Sequence, residues 1–163
     1  MLALRAELLL MRYHRTPPRL PNIDGHAPRS YLLTLCIKDR RRIFGNDIAA
    51  RIACHEIFRY RDQGQYHLYA YCVMPDHVHL ALRIGSKRNH ISRIVAMLKA
   101  AIFQRLKPLE LDFAWQRGFH DRLIRDGEDS AEVVRYVLAN PRRANLVRGD
   151  EPYEFAGVVD LWF

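Results

Sequence analysis

Two apolar stretches, His67–Met74 and His77–Ile84, are separated only by Pro75-Asp76. Each is short, carries β-branched or aromatic residues and is bounded by turn formers, so the pair predicts an antiparallel β-hairpin. The rest of the chain is read around it.

Upstream, Tyr31–Ile37 is another β-rich run, closed by the charged turn Lys38–Arg42. Ile48, Ile52, Ile57 and Phe58 stand among polar residues and predict a helix from Ile48 to Tyr60, ended near Gly64. Downstream, Ile91, Ile94, Val95, Leu98, Ala101, Ile102 and Phe103 predict an amphipathic helix over Ile91–Leu106, with Arg93, Lys99 and Arg105 off its apolar stripe. A short strand is expected near Phe119–Ile124. A last helix starts at Asp129 or Ser130 and is expected to stop near Asn140, since Pro141 disfavours helix in the residue before it. The order β, α, β, β, α, β, α is that of an α+β protein, a ferredoxin-like sandwich whose antiparallel sheet carries helices on one face. Without repeats or a linker, residues 30–163 read as one domain. Residues 1–29 read as a peripheral extension with Pro17, Pro18, Pro21 and Pro28, and Met11 is an alternative start.

A chain of 163 residues, 49% hydrophobic, suits a single core. Its longest uncharged apolar runs, such as Leu68–Pro75, are too short to span a bilayer. Arg5 and Glu7 break the only candidate secretory segment. A cytoplasmic protein with no membrane partner is therefore expected. Cys36, Cys54 and Cys72 lack CxxC spacing and read as reduced thiols. Twenty-six Lys and Arg against 18 Asp and Glu give a net charge of +8. That excess favours a polyanionic partner, the alternative being a generically basic surface.

The chemistry gathers in two places. On a strand, His77 and His79 point to one face while Val78, Leu80 and Leu82 point to the other. Adjacent neutral imidazoles suit a divalent metal; otherwise they are two histidines on a half-exposed strand. On the last helix, Tyr136 stands off the stripe formed by Val133, Val134, Val137 and Leu138. It is either a rim residue or a hydroxyl facing a site. Asn140, one turn on, reaches towards the tyrosine ring edge and is a candidate third member of an oxygen and nitrogen shell.

The run Tyr71-Cys72-Val73-Met74-Pro75-Asp76-His77-Val78-His79-Leu80 resembles the His-hydrophobic-His (HUH) strand of the one-tyrosine transposases. Trp115-Gln116-Arg117-Gly118-Phe119, Ile124-Arg125-Asp126, Tyr136-Val137-Leu138-Ala139-Asn140-Pro141 and Ala144-Asn145-Leu146-Val147 resemble the C-terminal signature of the REP-associated tyrosine transposases. The resemblance spans about Ser30 to Val147. It implies a ferredoxin-like core and a metal-dependent endonuclease and strand transferase acting on single-stranded DNA, often beside a hairpin. It further implies Tyr136 as nucleophile and His77 and His79 as ligands of Mg²⁺ or Mn²⁺, with Asn140 the candidate third. Related single-strand transposases often carry a Gln where this chain has the shorter Asn140. His120-Asp121-Arg122 also departs from the family pattern, and His120 reads as a strand residue or an outer-shell group.

Candidate DNA contacts are Arg40, Arg41, Arg42, Lys87, Arg88, Arg117, Arg142 and Arg143, with Lys38 a further one and Trp115 the best candidate for stacking on bases. Rival readings are an RNA-binding module using Tyr69 and Tyr71 as platforms, a nucleotide hydrolase with a histidine nucleophile, and an HUH relaxase or replication initiator. By resemblance, the protein acts as a monomer or a homodimer.

Overall fold

Residues 29–85, 90–125 and 130–161 are described by the structure, a computed structural model. The hairpin forms where the punctuation places it, as β2 (His67–Met74) and β3 (His77–Ile84), and β1 (Arg29–Cys36) pairs with the other edge of β3. The remaining elements are α1 (Asp47–Asp62), α2 (Ile91–Leu106), β4 (His120–Ile124), α3 (Ser130–Leu138), α4 (Asn140–Arg143) and β5 (Ala156–Val158). The sheet order is β4-β1-β3-β2-β5, with every pair antiparallel. No helix among the described residues is long and apolar enough to cross a membrane.

The strand pleat decides what covers each face. Leu33, Leu35, Val78, Leu80 and Leu82 turn to one side and pack with Ala53 and Ile57 of α1 and Ile94, Leu98 and Ile102 of α2. The opposite side carries Leu32, Ala70, Cys72 and Ala81, on which α3 sets Val133 and Val137. The two long helices thus share one face, and the tyrosine-bearing helix lies on the other, above the His-x-His strand. A bulge between Leu68 and Ala70 turns Tyr69 to the α3 side, while Tyr71 stays on the α1 side.

Local chemistry explains the ends. Asn46 caps α1 by accepting from Ala49 N at 3.1 Å, and Gly64, at φ +71°, lets the chain turn away after it. The tyrosine helix stops at Leu138, close to Asn140 as expected; a single residue, Ala139, then separates α3 from the short α4, and Pro141 stands in the first turn of α4, where a missing N–H costs nothing. The sequence also gave no sign of β5, a three-residue strand centred on Gly157. It pairs with Ala70–Cys72 of β2 so closely that a Cβ at Gly157 would come within 3.2 Å of the Tyr71 ring.

Trp115 belongs to this packing. Its ring lies 5.9 Å from Phe44 and 6.2 Å from Phe113, and its Nε1 donates to Lys99 O at 2.9 Å. Lys99 answers by donating Nζ to Gln116 O, at 2.8 Å, and to Gly118 O, pinning the 115–118 loop to α2. Lys99→Met leaves both carbonyls to water and is expected to cost about 1–2 kcal/mol, read as a lower thermal midpoint.

Glu56 ties α1 to α2. Its buried carboxylate accepts from Arg59 Nε at 2.9 Å and lies 3.2 Å from His55 Nδ1 and 3.4 Å from Arg105 Nε of α2. Burial alone would raise its pKa, but the bonds from Arg59 and His55 and the charges of Arg59 and Arg105 outweigh it and hold the group below its ordinary value. A depressed carboxyl stabilises the fold above the unfolded-state pKa, about 4.3, and that contribution disappears as pH falls through the folded value. Thermal unfolding scans are expected to show a midpoint that declines below about pH 4.3, less steeply in Glu56→Gln.

Candidate metal and tyrosine site

β3 lifts His77 and His79 from the face that α3 covers. Their Nε2 atoms are 3.0 Å apart, with the rings nearly perpendicular at 86°. Each ring is held from behind. Asp76 Oδ1 lies 2.6 Å from His77 Nδ1, and Thr34 Oγ1, opposite His79 in the β1–β3 register, lies 2.9 Å from His79 Nδ1. Both Nε2 atoms therefore converge on one point.

Two nitrogens bound cis to one octahedral ion at about 2.1 Å would themselves be about 3.0 Å apart, so the pair fits a single small cation. His79 is 4% exposed. Its burial, then its neighbours His77 and Arg143, hold its pKa down to about 3, so the ring is neutral, the form that ligates metals. The Asp76 carboxyl lies below the ordinary range: burial opposes this, but the hydrogen bond from His77 and the nearby Arg40 charge prevail. Among the described residues no group of three or more His, Cys, Asp and Glu could hold a metal. A cation at the imidazoles would thus draw its other ligands from amide, water or substrate oxygens.

Tyr136 stands on α3 with its ring centroid 6.0 Å from that of His79. Because the chain continues helically past Pro141, Arg143 comes back over the tyrosine. Its guanidinium carbon lies 4.6 Å from the ring centroid, and Nη2 donates to Tyr136 O at 3.0 Å. Asn140 donates Nδ2 to Tyr136 O at 2.9 Å and Val137 O at 3.1 Å, so its amide nitrogen closes the end of α3 and only Oδ1 is left to offer a cation.

Of the basic candidates, Arg40 also reaches the site. Asp39 and Arg40 are both left-handed, at φ 57° and 55°, a costly backbone that turns Arg40 Nη1 to 3.3 Å from Asp76 Oδ2 and 3.4 Å from His77 Nδ1. Arg41 pairs with Asp112 and Arg142 with Asp150 on the exposed surface, where Arg42 and Arg117 also lie. Lys87 and Arg88 fall outside the described residues. Trp115 packs on the α1–α2 side, away from the imidazoles. Tyr69 is 1% exposed, and half-buried Tyr71 meets Phe58 edge-on, so neither is an open platform for bases. His120 faces the imidazole side one strand beyond Thr34. Sequence reasoning passed over Thr34 and Asp76. Asp76 was visible inside the motif, whereas Thr34 meets His79 only through strand pairing.

The family model "Transposase IS200 like" matches residues 29–140. A Haemophilus influenzae protein named "Putative REP-associated tyrosine transposase" is 25% identical over 139 residues, covering 76% of this chain and 77% of that one. A solved REP-associated tyrosine transposase bound to a REP hairpin shares the fold, with a TM-score of 0.64 at 20% identity over 82% of this chain and 76% of its own. A candidate transposase from Deinococcus radiodurans also shares it, with a TM-score of 0.51 at 21% identity over 72% of this chain and 95% of its own. The family match runs from the first residue of β1 to the end of the tyrosine helix, so it takes in the whole sheet-and-helix frame around the imidazoles. The chain belongs to the IS200-like transposase family and is a tyrosine transposase of this metal-dependent class.

Proposed function

We propose that this transposase cuts and rejoins single-stranded DNA beside a hairpin through a 5′-phosphotyrosine, with Tyr136 as nucleophile. His77 and His79 hold Mg²⁺ or Mn²⁺, and Asn140 Oδ1 is the third protein ligand. The observation that carries this reading is the convergence of the two Nε2 atoms beside the Tyr136 ring. The hairpin in the solved relative supports the choice of substrate.

A phenol, with an ordinary pKa of about 10, is a weak nucleophile at neutral pH. A cation held by His77 and His79 would polarise the scissile phosphodiester and offset charge on its oxygens. Arg143 holds the Tyr136 ring and presents positive charge at the same place, and Arg40 does so from the β1 side. Tyr136 Oη forms the new bond to phosphorus as the 3′-oxygen leaves, and the phenol proton passes to solvent. A 3′-hydroxyl later attacks the phosphotyrosine, restores the phenol and reseals a strand, so no nucleotide cofactor is consumed.

Arg41, Arg42, Arg117 and Arg142, with Lys87 and Arg88, serve as phosphate contacts that position the strand. The transposase acts as a monomer or a homodimer, and the nearness of Tyr136 to His79 of its own chain supports the monomer. The reaction belongs in the cytoplasm, beside chromosomal DNA.

End-labelled single-stranded hairpin oligonucleotides from the gene's flanks test this directly. Wild type with Mg²⁺ or Mn²⁺ is expected to give a covalent protein–DNA adduct that EDTA abolishes and Tyr136→Phe lacks. Arg143→Ala should lower cleavage by roughly 10²-fold, the scale for losing one charge-stabilising donor. Cleavage that survives Tyr136→Phe would remove the nucleophile assignment. Salt-dependent binding without cleavage would leave a DNA-binding remnant.

A further inference from the structure

We infer that Arg40 is a further catalytic residue, set on the leaving-group side of the transfer. Its guanidinium meets the 3′-oxygen that departs from phosphorus, and the basic turn that carries it holds the DNA flank ending in that oxygen. The inference rests on the proposed roles of Tyr136 and the imidazoles, and adds the direction in which the strand crosses them.

The site has two ends. At one, α3 sets Val133 and Val137 on Ala81, two residues beyond His79 on β3, and the Tyr136 ring centroid lies 6.0 Å from that of His79. At the other, the chain leaving β1 wraps the Pro75-Asp76 turn, with Ile37 N donating to Asp76 O and Phe44 N to Pro75 O, both at 2.9 Å. Arg40 stands in that wrap. Its Nη1 lies 3.3 Å from Asp76 Oδ2 and 3.4 Å from His77 Nδ1. Nδ1 is the His77 nitrogen turned away from His79, because Nε2 is the one 3.0 Å from His79 Nε2. The order across the site is therefore Tyr136, His79, His77, Arg40.

Phosphoryl transfer sets the attacking and leaving oxygens roughly in line, on opposite sides of phosphorus. With the phosphate over the imidazoles and Tyr136 Oη attacking from the His79 end, the bond to the 3′-oxygen breaks towards the His77 end. The electron pair goes to that oxygen, which takes a proton from solvent and leaves as the 3′-hydroxyl. A fixed positive charge where negative charge develops lowers the barrier, and Arg40 supplies one there. Its side chain is 60% exposed, so DNA can reach it. The left-handed backbone at Asp39 and Arg40 is held in place by the bonds that flank the turn. Lys38, Arg41 and Arg42 are exposed on the same turn, Arg41 paired with Asp112. Four cations in the five residues 38–42 suit the phosphates of an extended strand. The strand thus runs from this turn, on the 5′ side of the cut, to the α3 end on the 3′ side, where Arg143 lies against Tyr136.

Sulfur in place of the departing 3′-oxygen separates the two ends, because a thiolate leaves without help from a cation. Wild type maps the cut site on oligonucleotides from the gene's flanks, and rates of adduct formation in Mn²⁺ are then compared for oxygen and sulfur substrates. Arg40→Gln is expected to lose roughly 10²-fold on the oxygen substrate and less than about tenfold on the sulfur one. Arg40→Gly, which suits a left-handed backbone, should behave alike, so that a disturbed turn does not explain the loss. Arg143→Ala should lose equally on both. In EDTA, Arg40→Gln should bind the strand that ends in the 3′-hydroxyl about tenfold more weakly than wild type, and the strand that begins with the 5′-phosphate equally well. Equal losses by Arg40→Gln on the two substrates, or weaker binding of the 5′-phosphate strand alone, would overturn the inference and leave the Tyr136 reading intact. Wild type that forms no adduct would remove that reading and the inference with it.

Discussion

The alternation of β3 carries the rest of the structure. Val78, Leu80 and Leu82 are each fully buried against the α1–α2 layer. Burying such side chains is worth on the order of 1.5–3 kcal/mol apiece. A slip of one residue would turn all three towards α3 and both histidines into the core. The apolar side of the strand thus fixes the positions of the imidazoles, although it touches none of the reacting groups. Central placement adds to this, because β3 is bonded along both edges.

The opposite face is shaped by small residues. Ala70 and Ala81 stand side by side beneath Val133 and Val137, letting α3 lie close enough for Tyr136 to meet His79. Two backbone devices complete the site from outside the sheet. The helical continuation through Pro141 returns Arg143 to the tyrosine, and the left-handed pair at Asp39 and Arg40 swings a guanidinium onto Asp76. Both use unfavourable or interrupted backbone to bring positive charge beside Tyr136 and the imidazoles.

Much of this was legible in the sequence because the signals are local. The bounds of β2, β3 and α2 follow from runs and periodicities that end at Pro75-Asp76 and at the last apolar residues. What escaped was non-local. β5 has three residues and no pattern of its own, existing because β2 has a free edge. Trp115 reads as an exposed aromatic until Phe44, Phe113 and Lys99 are brought around it from distant parts of the chain. Thr34 has an unremarkable place in β1 and acquires its meaning from its strand partner. The breaker rule for Pro141 placed the end of the tyrosine helix, but it gave no sign that a further short helix would start one residue later.

The helices are not held equally. Six residues of α2 and five of α1 are buried, whereas the nine-residue α3 buries only Val133 and Val137. On a ladder of local openings, α3 therefore occupies a low rung and β3 the highest, since β3 opens only with the whole sheet. The tyrosine can part from the imidazoles and return while the strand that holds them stays folded. The scaffold thus joins a fixed half that carries the two imidazoles to a detachable half that carries Tyr136.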